Sequence, residues 1–138
     1  MATQYNLGLP KHTGPIDAEL VLHTKADETA TFSSADKTAV TPGHSYWVNV
    51  KFSSFDNGDH NATLAIAVFA DTAAAATAAI SIGNFETVTV ATAATTDFYS
   101  RVGVTVPLGY GHARITATMS SGDSEALTGF TCWLEPIT

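Results

Sequence analysis

The sequence predicts an all-β protein, an antiparallel β-sandwich or barrel of about eight strands. Short runs of β-type composition recur along the chain, and turn-forming residues separate them. Most of these runs carry apolar side chains on one face only, which is the period-2 pattern of a half-buried strand. Threonine, whose β-branched side chain suits the solvent face of a sheet, accounts for 21 of the 138 residues.

The composition limits both the core and the partners. Alanine contributes 22 of the 62 hydrophobic residues, so only 40 positions hold larger apolar side chains that can fill a core. Charged residues make up 14% of the chain, against about 25% in typical soluble proteins. The net charge is −7, so we expect no nucleic-acid partner, because binding to a phosphate backbone needs clustered lysine and arginine. The length fits one domain of about 100–200 residues.

Cysteine content and hydropathy bear on disulfides, secretion and membrane insertion. The single cysteine, Cys132, excludes an intramolecular disulfide. The N-terminal segment has neither a basic start nor an apolar run, so we expect no secretory signal. The longest uncharged stretch, Thr72 to Phe85, has 14 residues, fewer than the ~18 that a membrane-spanning helix needs. We therefore expect a soluble protein with no membrane partner.

Residues 1–16 are predicted to form an extended arm in front of a single domain, residues 17–138. Glycines and prolines occur in the arm too closely for a helix or a paired strand: Gly8, Pro10, Gly14 and Pro15. Tyr5, Leu7 and Leu9 alternate along it, which is the pattern of an extended segment that can lie on another surface. The alternative is a disordered tail.

In the first half of the domain, five runs have β-type composition: Glu19–His23, Thr29–Phe32, Thr38–Val40, Ser45–Phe52 and Thr63–Ala70. The Pro42-Gly43 turn precedes the fourth run, in which apolar residues alternate with Trp47, Asn49 and Lys51. The fifth run is apolar on both faces, which is typical of a central strand covered on both sides.

In the second half, five more strand-like runs follow: Ile80–Ile82, Glu86–Ala91, Phe98–Val106, His112–Met119 and Gly129–Leu134. The segment Thr72–Ala79 is left open between one helical turn and a loop, because its alanines favour a helix but its length does not sustain one. In the last strand, Cys132 alternates with Phe130 and Leu134, which predicts that it lies in the core as a small hydrophobic residue.

From Thr41 onward, the order of turns and aromatic strands resembles that of the jelly-roll sandwiches known from carbohydrate-binding modules. Three segments carry the resemblance: Thr41-Pro42-Gly43-His44-Ser45-Tyr46-Trp47-Val48, Thr96-Asp97-Phe98-Tyr99-Ser100-Arg101-Val102-Gly103-Val104-Thr105-Val106-Pro107 and Trp133-Leu134-Glu135-Pro136. The resemblance implies a jelly-roll-like sandwich. The same architecture resembles small phage head-decoration (cement) proteins, which sit on the outside of a capsid, often as trimers.

Four residues are predicted to form an interface or a ligand face. Trp47, Arg101, Arg114 and Trp133 all lie on the phase opposite the apolar stripe of their own strands. Tryptophan and arginine are enriched at interfaces and at their hot spots. The alternative is a sheet covered on both sides, with the tryptophans in the core.

No catalytic, metal or cofactor site is predicted. The five histidines form none of the close pairs that are typical of metal sites. The turn Asp56-Asn57-Gly58-Asp59 lacks the later glutamate of a calcium loop. The chain contains no Gly-x-Ser-x-Gly elbow, and its acidic residues are scattered among turns. We therefore expect a protein that is not an enzyme.

The leading interpretation is a structural protein of a bacteriophage virion that decorates the outer capsid surface. It would be assembled in the host cytoplasm, self-associate as a homotrimer and stabilise the shell by bridging capsid subunits. Its arm residues Tyr5, Leu7 and Leu9 would contact the major capsid protein, through buried area and shape rather than long-range charge.

The alternative interpretation is a carbohydrate-binding module, or a sugar-binding part of a phage tail or appendage. Its partner would be a glycan. Trp47, Tyr99, Tyr110 or Trp133 would stack on the sugar rings, as tryptophan platforms do in the carbohydrate-binding modules that the chain resembles.

Overall fold

The computed structural model consists of two antiparallel β-sheets packed face to face, which confirms the predicted β-sandwich. The structure describes residues 20–28, 32–33, 38–56, 63–73, 79–89, 94–119 and 126–137. The predicted arm, residues 1–16, lies outside the described residues, and so does most of the helix-or-loop segment Thr72–Ala79. Both therefore stay predictions.

Within the described ranges there are ten strands. They are β1 (Val21–Glu28), β2 (Phe32–Ser33), β3 (Thr38–Ala39), β4 (Ser45–Asp56), β5 (Thr63–Asp71), β6 (Ile80–Asn84), β7 (Val88–Thr89), β8 (Ala94–Thr105), β9 (His112–Met119) and β10 (Ala126–Pro136). Each predicted run overlaps one of these strands, and several strands extend beyond the predicted limits.

The order of the strands is that of a jelly roll. One sheet has the order β1-β10-β4-β8, and the other has β2-β9-β5-β6, with β3 also paired to β9 and β7 also paired to β5. When β2 with β3 and β6 with β7 are each counted as one interrupted strand, eight strands form two four-stranded sheets. This confirms the predicted fold class, and it places β4 between β10 and β8.

The core lies between the two sheets and is built from one face of each strand. On β9, for example, Ala113, Ile115, Ala117 and Met119 are buried, while the residues between them are half-buried or exposed. Cys132 is fully buried in this core, as predicted, and its burial raises the pKa of the thiol. The period of two thus divides each strand between the core and an outer surface.

Thr63–Ala70 is an interior strand, as predicted, but its two faces are covered to different degrees. Leu64, Ile66 and Val68 are buried on the core side of β5, but the residues between them are only half-buried. Two of those residues are alanines, Ala65 and Ala67. Their apolar character reflects small side chains on an outer sheet face rather than a second buried layer.

β4 and β10 both extend beyond their predicted limits. In each strand the alternation of core-facing and outward-facing side chains shifts by one residue, at the same place along the pair. On β4 the core-facing residues are three positions apart at Phe52 and Phe55, and on β10 the same step separates Leu127 from Phe130. Gly129 occupies this step with a φ of 68°, a left-handed conformation that glycine adopts without strain. Both strands therefore keep an apolar residue toward the core on each side of the irregularity, and their pairing continues through it.

We expect Gly129→Ala to lower the free energy of unfolding by about 2–3 kcal/mol. About 1–2 kcal/mol comes from the left-handed backbone, and the rest arises because a Cβ would stand 2.6 Å from the Oγ of Ser53. Gly109→Ala is the matched control, since Gly109 also has a positive φ, 87°, but nothing lies within 4 Å of its Cβ position. Urea denaturation measures both variants.

The Ser53→Ala background separates the two contributions to the Gly129→Ala loss. Without the hydroxyl, the loss is expected to fall to that of Gly109→Ala. Equal losses for Gly129→Ala with and without Ser53→Ala would show that the close approach to Ser53 contributes nothing.

Candidate functional site

The outer face of the sheet containing β4 carries a cluster of aromatic, cationic and polar side chains. The strand registers arrange it in three rows across β10, β4 and β8: Glu135–Trp47–Gly103, Trp133–Asn49–Arg101 and Thr131–Lys51–Tyr99. Residues that lie directly opposite each other on neighbouring strands share a face of the sheet. We call the surface formed by these nine residues the Trp47 strip.

Trp47 forms the accessible aromatic part of the strip. Its half-buried indole lies beside Gly103, where a Cβ would stand 3.5 Å from the ring atom Cζ3. A Cβ at this distance would make ordinary van der Waals contact with the ring, so the glycine leaves the backbone of β8 uncovered beside the indole. The exposed Arg101 places its guanidinium carbon 4.2 Å from the centroid of the Trp47 ring, which is a cation–π arrangement.

Trp133 lies on the same face but is only 1% exposed. The ring of Tyr99 stacks beside it at a centroid distance of 6.3 Å, and the Nζ of Lys51 lies 5.7 Å from its ring centroid. The expectation that Trp133 is an exposed interface residue is therefore wrong, because it lies on the interior strand β10 among large neighbours. The alternative of buried tryptophans holds for Trp133, although this residue lies outside the core cluster between the sheets, and it is wrong for Trp47, which remains accessible.

A buried polar chain connects the three strands of the strip. The hydroxyl of Tyr99 donates to Oδ1 of Asn49 at 2.8 Å, and Nδ2 of Asn49 donates to Oε1 of Glu135 at 2.8 Å. Asn49 is completely buried, so these bonds satisfy an amide that would otherwise be costly to bury. Burial raises the pKa of Tyr99; the charge of Arg101 opposes this shift, and that of Glu135 adds to it.

Arg114 does not belong to the strip. It lies on β9 in the other sheet, with its guanidinium carbon 4.9 Å from the ring centroid of Phe69. Its Nε donates to Oδ2 of the fully buried Asp71 at 3.3 Å, and its Nη1 donates to Oγ1 of Thr116 at 3.2 Å. The expectation that Trp47, Arg101, Arg114 and Trp133 form one face is therefore wrong for Arg114, because the topology puts β9 in the opposite layer.

The remaining predicted residues have different positions. Tyr110 is half-buried and packs against the core, next to the turn at Leu108 and Gly109, so it is not on the strip. Tyr5, Leu7 and Leu9 lie outside the described residues. Sequence reasoning did not single out Asn49, Lys51, Gly103, Thr131 or Glu135. For Asn49 and Lys51 the sequence did contain a signal, because both alternate in phase with Trp47 and therefore lie on the same outward face of the strand.

The described part of the chain contains no group of three or more histidine, cysteine, aspartate or glutamate side chains that could hold a metal ion. Over the same residues, no helix is long and apolar enough to cross a membrane.

Comparisons with known proteins leave the family of the chain open. No protein-family model and no curated protein matches it. Among solved structures, it is similar to that of the CBM22-1 and GH10 modules of endo-1,4-β-D-xylanase 10B from Clostridium thermocellum, complexed with xylohexaose, with 11% identity and a TM-score of 0.46. The match covers 86% of this chain and 29% of that chain. A likeness of this degree carries no argument about function.

We expect Tyr99→Phe to reduce the loss of stability at alkaline pH. The folded state raises the pKa of Tyr99 above its ordinary value of 10.0, so it holds the phenolic proton more tightly than the unfolded chain does. That contribution is fully present below pH 10 and is lost as the pH rises through the folded-state pKa. Burial also raises the pKa of the Cys132 thiol, which likewise lowers stability at alkaline pH. Both proteins contain Cys132, so its contribution cancels when the variant is compared with the parent protein.

Urea denaturation at pH 8 and pH 11 tests this expectation. At pH 8 the variant is expected to be less stable by about 1 kcal/mol, because Oδ1 of Asn49 loses its donor. At pH 11 the gap between the two proteins should narrow. A gap that stays constant or widens with pH would contradict the assigned surroundings of Tyr99.

Proposed function

We propose that the chain is a binding protein without catalytic activity and that the Trp47 strip recognises a carbohydrate. The observation that carries the proposal is the accessible indole of Trp47, held beside the bare backbone of Gly103 and bordered by hydrogen-bonding groups. On β8, Arg101, Gly103 and Thr105 are all exposed, so a ligand can approach the indole from this edge of the sheet.

The chemistry around Trp47 suits a sugar ring. A pyranose has a C–H-rich face, which the negative π-face of an aromatic ring attracts, and a rim of hydroxyls that need hydrogen-bond partners. Arg101 supplies donors, and Glu135 has a second carboxylate oxygen besides the one that Asn49 occupies. The hydroxyls of Ser45 and Thr105, 2.8 Å apart, lie one row further along the sheet. Apolar surface with a few convergent polar groups is the usual make-up of a ligand site.

The strip is also held rigidly before any ligand arrives. Trp133 and Tyr99 are buried beside the polar chain through Asn49, and all of these residues lie on paired strands rather than on loops. A site that is already ordered loses less conformational entropy on binding. This supports recognition by a fixed surface.

Truncation of Trp47 tests the proposal. In a glycan-array screen followed by calorimetry, we expect Trp47→Ala to lower the affinity for the bound saccharide at least tenfold, which is about 1.4 kcal/mol. Phe69→Ala is the matched control, because Phe69 is an aromatic residue of the opposite outer face that is also stacked by an arginine. The control is expected to bind like the parent chain.

Circular dichroism and urea denaturation establish that both variants are folded. Unchanged saccharide binding by a folded Trp47→Ala variant would contradict the proposal. The same holds if the parent chain binds no saccharide on the array.

The second candidate is a phage decoration protein that binds the major capsid protein on the outside of the virion, as a homotrimer. It is supported by the alternation of Tyr5, Leu7 and Leu9 in the sequence of residues 1–16 and by the jelly-roll order, an architecture found in viral capsid and lectin domains alike.

Electron microscopy of capsids mixed with the chain tests the second candidate. We expect density at threefold or quasi-threefold positions for the full chain and a loss of that density when residues 1–16 are deleted. Capsid binding that survives the deletion would contradict the role of the arm. A chain that is monomeric by light scattering, binds no capsid and is retained on a glycan array would leave only the carbohydrate proposal.

A further inference from the structure

We propose that the saccharide bound by the Trp47 strip is acidic and that its carboxylate pairs with Arg101. This inference rests on the proposed carbohydrate-binding function and specifies the class of ligand. It is supported by the surroundings of the two cations on the strip, Arg101 and Lys51, in a chain whose net charge is −7.

Both cations of the strip contact aromatic rings, and neither is neutralised within the described part of the chain. Arg101 stacks on Trp47 at 4.2 Å, and Lys51 lies 5.7 Å from the ring centroid of Trp133. The carboxylate of the strip, that of Glu135, accepts a hydrogen bond from Asn49 instead. It lies on β10, whereas Arg101 lies on β8, with β4 between these two strands.

Arg114 provides an internal comparison. It also stacks on an aromatic ring, that of Phe69, but it is bound at the same time to the buried carboxylate of Asp71 and to the hydroxyl of Thr116. Its side chain is 23% exposed, whereas Arg101 is an exposed residue. The chain therefore contains one arginine whose carboxylate is supplied internally and another, at the candidate site, whose N–H groups are open to an external acceptor.

The contact with Trp47 prepares Arg101 to bind a carboxylate. The N–H groups of a guanidinium lie along the edge of its plane, and this edge matches the two oxygens of a carboxylate. The contact with Trp47 also restricts the long side chain before the ligand arrives, so less freedom is lost on binding.

The negative charge of the whole chain does not prevent this pairing. At physiological ionic strength the Debye length is about 8 Å, so acidic residues elsewhere on the surface are largely screened at the strip. A carboxylate in direct contact with Arg101 is screened much less. A uronic-acid unit presents both required features, a carboxylate for Arg101 and a C–H face for the part of the Trp47 indole that Arg101 does not cover.

Calorimetry with a matched pair of probes tests the inference on the full chain. The probes are oligogalacturonate and the same oligosaccharide with its carboxylates methyl-esterified. We expect the acidic form to bind at least tenfold more tightly than the ester. Arg101→Gln is expected to bring the two affinities within twofold of each other, and Arg101→Lys, which keeps the charge but loses the planar fork, is expected to retain only part of the preference.

The control variant is Thr118→Glu, which changes the net charge by −1, as Arg101→Gln does. Thr118 is exposed on β9, on the outer face of the sheet that lacks the strip. It is expected to preserve the preference of the parent chain for the acidic probe. A loss of preference in this variant equal to that in Arg101→Gln would overturn the inference, because it would show an effect of net charge rather than of the Arg101 site.

Two outcomes separate this inference from the function on which it rests. Equal binding of the acidic probe and the ester, both lost in Trp47→Ala, overturns the acidic ligand and leaves carbohydrate binding in place. Binding of poly-L-glutamate through Arg101, together with no binding of any saccharide on the array, overturns both and makes the strip a surface for an acidic protein.

Discussion

The alternation of β4 between the two sides of its sheet is the constraint that connects the fold with the candidate site. Tyr46, Val48, Val50 and Phe52 fill the core, and the residues between them form the middle of the Trp47 strip. A slip of one residue in the pairing of β4 would exchange these two sets, placing the lysine and the asparagine in the core. The packing that stabilises the sandwich thus also determines which side chains a ligand can meet.

Burial on the outer face gives the strip its rigidity. Trp133 and Tyr99 bury large rings outside the core cluster, and Asn49 links Tyr99 to Glu135 by hydrogen bonds across three strands. A buried amide is tolerable only when its donors and acceptors are satisfied, so this chain restricts the positions of β10, β4 and β8 relative to one another. Trp47 lies on the middle one of these three strands.

The sequence allowed a large part of the fold to be predicted, and the errors have identifiable causes. On β4 the alternation of apolar residues stops at Phe52, and on β10 it begins at Phe130. The predicted strands therefore ended and began near these residues. In the structure, Gly129 and the facing Ser53 shift the phase of both strands together and the pairing continues. Periodicity within one strand cannot reveal such a paired irregularity, because it is stabilised by the neighbouring strand.

By itself the sequence determined the sandwich class and the face of its own strand on which each of Trp47, Arg101, Arg114 and Trp133 lies, because these follow from local periodicity. Only the tertiary structure decided which of these faces coincide. Trp47 meets Arg101 because β4 pairs with β8, Trp133 joins them because β10 pairs with β4, and Arg114 lies in the opposite layer with Asp71. Sheet membership depends on contacts between residues far apart in the chain, and one strand's pattern of side chains does not contain them.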